Sequence, residues 1–233
     1  MGILRYIIDR EYDAEMIFQL FGAGMYDKKQ LAGFGMEKDL IDKIARAKEW
    51  LAVKGGVQDF VDQKYRSCMP YLRKTQRLYQ KSWDEIDGAF FKRLTVLTGT
   101  TLKYHKYECV VSLFHEGVSN WNGNKIARSW AKNSYTQRRV TAHEVVIAHF
   151  FDVVRALNDS RSYSDKDIWQ LAEVYAFTVN ALDAKMHSFW PWEKKEIDLS
   201  HNYPELILLQ KKYEKIISAG DIEEYLELGL KEQ

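Results

Sequence analysis

Arg139–Asp152, RVTAHEVVIAHFFD, decides how the rest of the chain is read, because a helix drawn through it has no polar face. Val145, Val146, Ile147, Ala148, Phe150 and Phe151 cover its whole circumference, and a helix that is apolar all round belongs in an interior. Thr141-Ala-His-Glu144 fits a capping box, in which hydroxyl and carboxylate each accept an orphaned backbone N–H. The expected helix therefore runs from Thr141 to about Leu157. A second one repeats the pattern. Ser164 and Asp167 mark its cap, and Ile168, Trp169, Leu171, Ala172, Val174 and Val179 carry it to about Leu182. A single acid, Glu173, stands in the middle of that apolar surface.

Upstream of this pair, Tyr107–Phe114 (YECVVSLF) is short, β-branched and aromatic, and reads as a strand. Asn122-Gly123 gives a strong turn signal, so Lys125–Trp130 is expected to return beside it as an antiparallel hairpin. Segments 11–21, 37–63 and 69–97 carry apolar residues at mixed three and four spacing and predict amphipathic helices. Gly55-Gly56 interrupts the second of these. Beyond the irregular aromatic stretch 188–204, two more helices are expected from about Pro204 to Leu228. The fold class that follows is α+β and predominantly helical, with a small antiparallel hairpin or sheet packed beside two buried central helices. Its expected organisation is an N-terminal helical region, 1–100, followed by 101–233, within one compact domain.

Composition narrows the function classes. With 34 Lys and Arg against 33 Asp and Glu, the 233-residue chain has no global field favouring nucleic acid or acidic membranes, so any such binding must come from a local patch. No apolar run approaches the ~20 residues that span a bilayer. Two cysteines, Cys68 and Cys109, and a start that lacks the pattern of a secretory signal lead to the expectation of a reducing, cytoplasmic setting. Gly-rich phosphate loops, nucleophile elbows and paired CxxC motifs are absent from the sequence.

An ion left unpaired in an interior costs several kcal/mol, so buried charges are paired, neutralised or bound to metal. Two adjacent buried helices, one offering His143, Glu144 and His149 and the other Glu173, can satisfy one another through a shared cation. Imidazole nitrogen and carboxylate oxygen are both zinc ligands, and a further carboxylate can take the proton of a water beside such an ion. AHEVVIAHFF followed by LAEVYAF resembles the active-site pair of gluzincin-type zinc metallopeptidases, over roughly residues 105–180. That resemblance implies zinc as cofactor, His143 and Glu173 as ligands, Glu144 as general base, and a peptide or protein substrate aligned along a strand edge that Tyr107–Phe114 would supply. His149 stands for the second imidazole ligand, although the family spacing places it at Ile147. On a regular helix, His149 is turned about 120° from His143 and displaced ~9 Å, so a π-bulge or an early break is needed to bring both to one ion.

The residues also permit a plainer account. Glu144 then serves only its cap, His143 bonds a loop carbonyl, His149 pairs with Asp152, and Glu173 pairs with Arg138, Arg139 or Arg155. That account leads to a non-catalytic helical interaction protein, or to an inactive descendant of a peptidase scaffold. His201, in HNYP, is expected to supply a proton donor or an oxyanion hydrogen bond if the site is catalytic. His115-Glu116, Tyr163 and Tyr175 are weaker candidates for the same cleft. Lys125, Arg128, Lys132, Arg138 and Arg139, interleaved with Trp121, Trp130 and Tyr135, have the composition of a single-strand nucleic-acid surface. No recognition motif accompanies them, so nucleic acid is not the expected partner.

Overall fold

The computed structural model describes residues 3–157, 163–194, 203–220 and 222–231. Its sheet begins with a strand the sequence reading missed. In β1 (Ile3–Ile7), Leu4 and Tyr6 point inward while Ile3 and Arg5 face out, the period of two that a half-buried strand requires. The chain then passes through α1 (Arg10–Gly22), α2 (Lys28–Gly33), α3 (Lys38–Arg46), α4 (Lys54–Asp84) and α5 (Asp87–Thr98). It returns to the sheet as β2 (Lys106–Ser112), parallel to β1, with Leu4 opposite Tyr107 and Tyr6 opposite Cys109.

β3 (Gly117–Val118) and β4 (Lys125–Ser129) complete the order β1-β2-β4-β3. The expected antiparallel pairing of 107–114 with 125–130 is corrected here: β2 and β4 are parallel, with Cys109 opposite Ile126. The chain reverses earlier than Asn122-Gly123. Ser112 Oγ accepts from the backbone N–H of Phe114 at 3.0 Å and of His115 at 2.9 Å, folding β2 back into β3, which runs antiparallel to β4. The Asn-Gly loop then makes a second reversal, and two reversals restore the direction of β2. The antiparallel partner of β4 is therefore β3.

The two sheet edges are treated differently. Along β1, Tyr6 N–H donates to Gln80 Oε1 at 2.8 Å, Gln76 Nε2 donates to Tyr6 O at 2.7 Å, and Leu4 N–H donates to Asp87 Oδ1 at 3.0 Å. Side chains of α4 and α5 thus occupy the backbone groups that an open edge would offer. At the other edge, β3 has no further strand beside it among the described residues.

α4 is one continuous helix of 31 residues. It contains Gly55 and Gly56, where an interruption is expected from sequence, in its first turn, and it passes through Pro70. Pro70 lies on the solvent side, where water can bond the carbonyl that its missing N–H leaves free. The helix ends only at Asp84.

α6 (Ser134–Leu157) and α7 (Asp165–Leu182) are the central pair, buried without interruption over residues 141–154 and 171–181. α7 is capped as expected, with Ser164 Oγ accepting from Asp167 N–H at 3.2 Å. α6 is not. Its first turn is closed by Asn133, whose Oδ1 accepts from Tyr135 N–H at 2.8 Å. Thr141 lies two turns inside the helix, with its hydroxyl 2.7 Å from that of Tyr6. Glu144 is therefore not a capping residue. The short α8 (Ala184–His187) and then α9 (Ile207–Ala219) and α10 (Ile222–Lys231) cover α7, and Tyr225 donates to the Leu171 carbonyl at 2.7 Å. Among the described residues, no helix is long and apolar enough to cross a membrane.

Candidate functional site

The contact between α6 and α7 is polar at one point. His143 Nε2 lies 2.9 Å from Glu173 Oε2, and the two side chains are only 9% and 5% exposed. Trp169, one turn before Glu173, donates its Nε1–H to Glu173 Oε1 at 3.0 Å. Phe177, one turn after, sets its ring edge-on to His143 with centroids 4.5 Å apart. Residues 169, 173 and 177 share a face of α7 because three or four residues make one helical turn. Tyr203 also donates to Glu173, and burial, followed by the charges of Glu173 and Glu144, holds its phenol well above the usual range. It therefore remains a donor.

Glu144 takes a different direction from α6. Arg128 Nη1 donates to Glu144 Oε1 at 2.9 Å, and Arg128 Nε donates to Gln137 Oε1 at 2.7 Å. Burial raises the Glu144 carboxyl above the ordinary range, while Arg128 and His143 pull it back and Glu173 adds to the rise. Such a carboxylate is a better proton acceptor than a solvated one. Gly117 of β3 makes this arrangement possible: a Cβ there would overlap the Arg128 guanidinium and stand 2.9 Å from Glu144 Oε1.

His143, Glu144 and Glu173 open together into a cleft of about 1250 Å³. Tyr12 and Met16 of α1, Tyr26 and Phe34 around α2, and residues 117–122 from β3 onward form its walls, with Trp169 and Tyr203 beside Glu173. The unpaired edge of β3 thus borders the three titratable groups. This strand takes the place expected of Tyr107–Phe114, whose β2 segment is enclosed between β1 and β4.

His149 is not brought to this place. α6 is a regular α-helix through it, so the rotation expected from six-residue spacing is fully expressed. Its Nε2 lies 3.0 Å from Thr98 Oγ1, in the last turn of α5, and 3.3 Å from Thr100 Oγ1 just beyond it, and burial pushes the imidazole down to about 4. His201 lies outside the described residues. Tyr175 donates to the Leu97 carbonyl at 3.2 Å on the far side of α7. Glu116 reaches the cleft rim, whereas His115 is buried behind its wall between Tyr26 and Asp13.

The arginines and the aspartate that could pair with these groups are engaged elsewhere. Arg138 pairs with Glu85, Arg139 lies 3.8 Å from Glu193, and Asp152 pairs with Lys103 at 3.3 Å and Arg155 at 3.6 Å. Sequence reasoning missed Trp169, Tyr203, Arg128 and Gly117 as parts of the site. Trp169 alone had a legible signal, its position four residues before a buried acid.

The donor chemistry of His143 and Glu173 suits a divalent cation. Two ligands of a tetrahedral zinc ion stand about 3.3 Å apart, given bonds of ~2.0–2.1 Å, close to the 2.9 Å between these atoms. Among the described residues, no group of three His, Cys, Asp or Glu side chains converges to hold a metal ion, so these two donors are the ones the fold offers. No protein family, curated protein or solved structure matches this chain.

Proposed function

We propose that the cleft is the active site of a hydrolase acting on extended peptide-like substrates, with His143 and Glu173 as the residues that would hold a zinc-type cation. The observation that carries this reading is the convergence of His143, Glu144 and Glu173 on one cleft, beside an open strand edge. When bound, such an ion supplies Lewis acidity and makes a neighbouring water easier to deprotonate. Glu144 takes that proton, helped by a carboxyl that burial has raised. Arg128 holds the carboxylate in one orientation. Trp169 and Tyr203 hold Glu173. The edge of β3 offers backbone groups along which an extended substrate aligns as an added strand. The thiols of Cys68 and Cys109 are free, in keeping with a reducing, cytoplasmic setting for this activity.

One arrangement favours a second reading, a non-catalytic binding cleft. His149 faces Thr98, and Ile147 fills the position of the family's second histidine. Metal analysis separates the two readings. Protein refolded with zinc and desalted should retain close to one ion per chain, Glu173→Ala should lose it, and Glu144→Gln should keep it while losing peptide hydrolysis. Wild-type protein that emerges without metal supports the binding cleft and removes the hydrolase.

A further inference from the structure

The cations of the 121–139 segment are mostly committed within the fold: Lys125 to Asp9, Arg128 to Glu144 and Arg138 to Glu85. Unpaired positive charge is concentrated elsewhere, on α4. From Arg66 to Trp83 the helix contains five basic residues, Arg66, Arg73, Lys74, Arg77 and Lys81, and no acid. All five are exposed, and none has an ion pair among the described residues. At about 100° per residue they fall within a stripe about 100° wide, and at 1.5 Å per residue the stripe is ~22 Å long. In a chain whose charges nearly balance overall, this is the local patch that nucleic-acid binding requires.

We infer that this stripe of α4 is a docking surface for the phosphate backbone of a duplex nucleic acid, read without regard to base sequence. The stripe lies on the exposed face of one continuous helix, a convex surface that suits a stiff duplex whose charge repeats about every 1.7 Å of axis. Three of its five cations are arginines, whose planar forks match phosphate oxygens. Single strands are usually held in grooves with stacking aromatics. Here Tyr71 is the one strongly exposed aromatic on this stretch, and it leans toward Trp130, with ring centroids 6.5 Å apart. An anionic membrane is a poorer fit, since surface-lying helices insert an apolar face and that of α4 is committed to the core through Val57, Val61, Tyr65, Leu72 and Tyr79.

The test is fluorescence anisotropy of the full chain with a labelled 20-base-pair DNA duplex. Five phosphate contacts predict a log–log salt slope of about −4.5, or roughly 500-fold weaker binding at 200 mM than at 50 mM salt. The triple variant Arg73→Glu, Arg77→Glu and Lys81→Glu, all at exposed positions, should weaken binding at least about tenfold with an unchanged melting temperature. The control Lys29→Glu, Lys48→Glu and Lys211→Glu makes the same change in net charge at exposed sites off α4 and should bind as the wild type does. A flat salt response, equal loss in the control, tighter binding of the single strand, or preferential binding to phosphatidylserine vesicles would each overturn the assignment.

Discussion

His143 Nε2 and Glu173 Oε2 stand 2.9 Å apart where α6 meets α7, while His149, on the same helix as His143, faces Thr98 on another side. The two imidazoles therefore belong to separate compartments. Glu173→Ala leaves the ring of His143 buried without its acceptor and should cost on the order of 3 kcal/mol in urea unfolding. Glu173→Gln keeps an oxygen for one neighbour and should cost about 1 kcal/mol. The double variant of His143 and Glu173 should depart from additivity by 1 kcal/mol or more, whereas His149→Ala combined with Glu173→Ala should be additive to about 0.5 kcal/mol. Strong coupling between positions 149 and 173 would contradict the separation of the compartments.

Arg128 is the cation that permits a carboxylate at Glu144. Arg128→Met removes the largest influence opposing burial, so the folded-state pKa of Glu144 climbs further. A carboxyl whose folded pKa lies above its unfolded value contributes stability that is full at low pH and lost as pH rises through the folded value. Arg128→Met should therefore cost on the order of 3 kcal/mol at pH 7 and clearly less at pH 5. Unfolding in urea at the two pH values measures it, and an equal cost at both would mean that Glu144 does not carry the effect.

The central helices and the buried acid were legible in sequence because both rest on apolar runs too long for a strand: the fourteen positions 141–154 are all buried. The start of α6 was misread because Thr-x-x-Glu is a local pattern, and Asn133, a stronger local partner for the first turn, prevailed over it. Strand direction was misread for a related reason. A turn signal at Asn122-Gly123 says that the chain reverses there, but says nothing of the earlier reversal made by Ser112. Arg128 and Gly117 were invisible as site residues, since what joins them to Glu144 is the pairing of Gly117 with Arg128 across β3 and β4. That is a relation of register.

Asp13 and His115 should pull the pH dependence of stability in opposite directions. Burial pushes the Asp13 carboxyl up to about 7, against the hydrogen bonds of Tyr65, Ser112 and the Leu113 N–H, with Asp9 adding to the rise. The folded state then holds a proton that the unfolded chain releases near pH 4, so this contribution to stability is lost as pH rises from about 4 through 7. His115, pushed down to about 4 by burial, acts with the reverse sign, and its contribution grows between about 4 and 6.5. Asp13→Asn keeps an oxygen for the three donors and sets its amide where Asp13 Oδ1 accepts no hydrogen bond. Relative to wild type, the variant should gain stability as pH rises through this window, by at most about 1.4 kcal/mol per unit. A pH-independent difference in urea midpoints would show that Asp13 is ionised throughout.

Gly117→Ala tests whether the close approach of β3 to the Arg128 and Glu144 pair matters. The backbone at 117 is not in the left-handed region, so the substitution brings no conformational strain and acts only through its methyl group. That methyl would overlap the guanidinium of Arg128 and sit 2.9 Å from Glu144 Oε1. Either the arginine moves, breaking a buried charge-assisted hydrogen bond, or β3 moves away from β4. Both should cost about 1–3 kcal/mol. In an Arg128→Ala background the overlap with the guanidinium no longer exists, and the remaining neighbour is the flexible end of a glutamate, so the same methyl should cost less than about 0.5 kcal/mol. A penalty of equal size in both backgrounds would place its cause outside the pair.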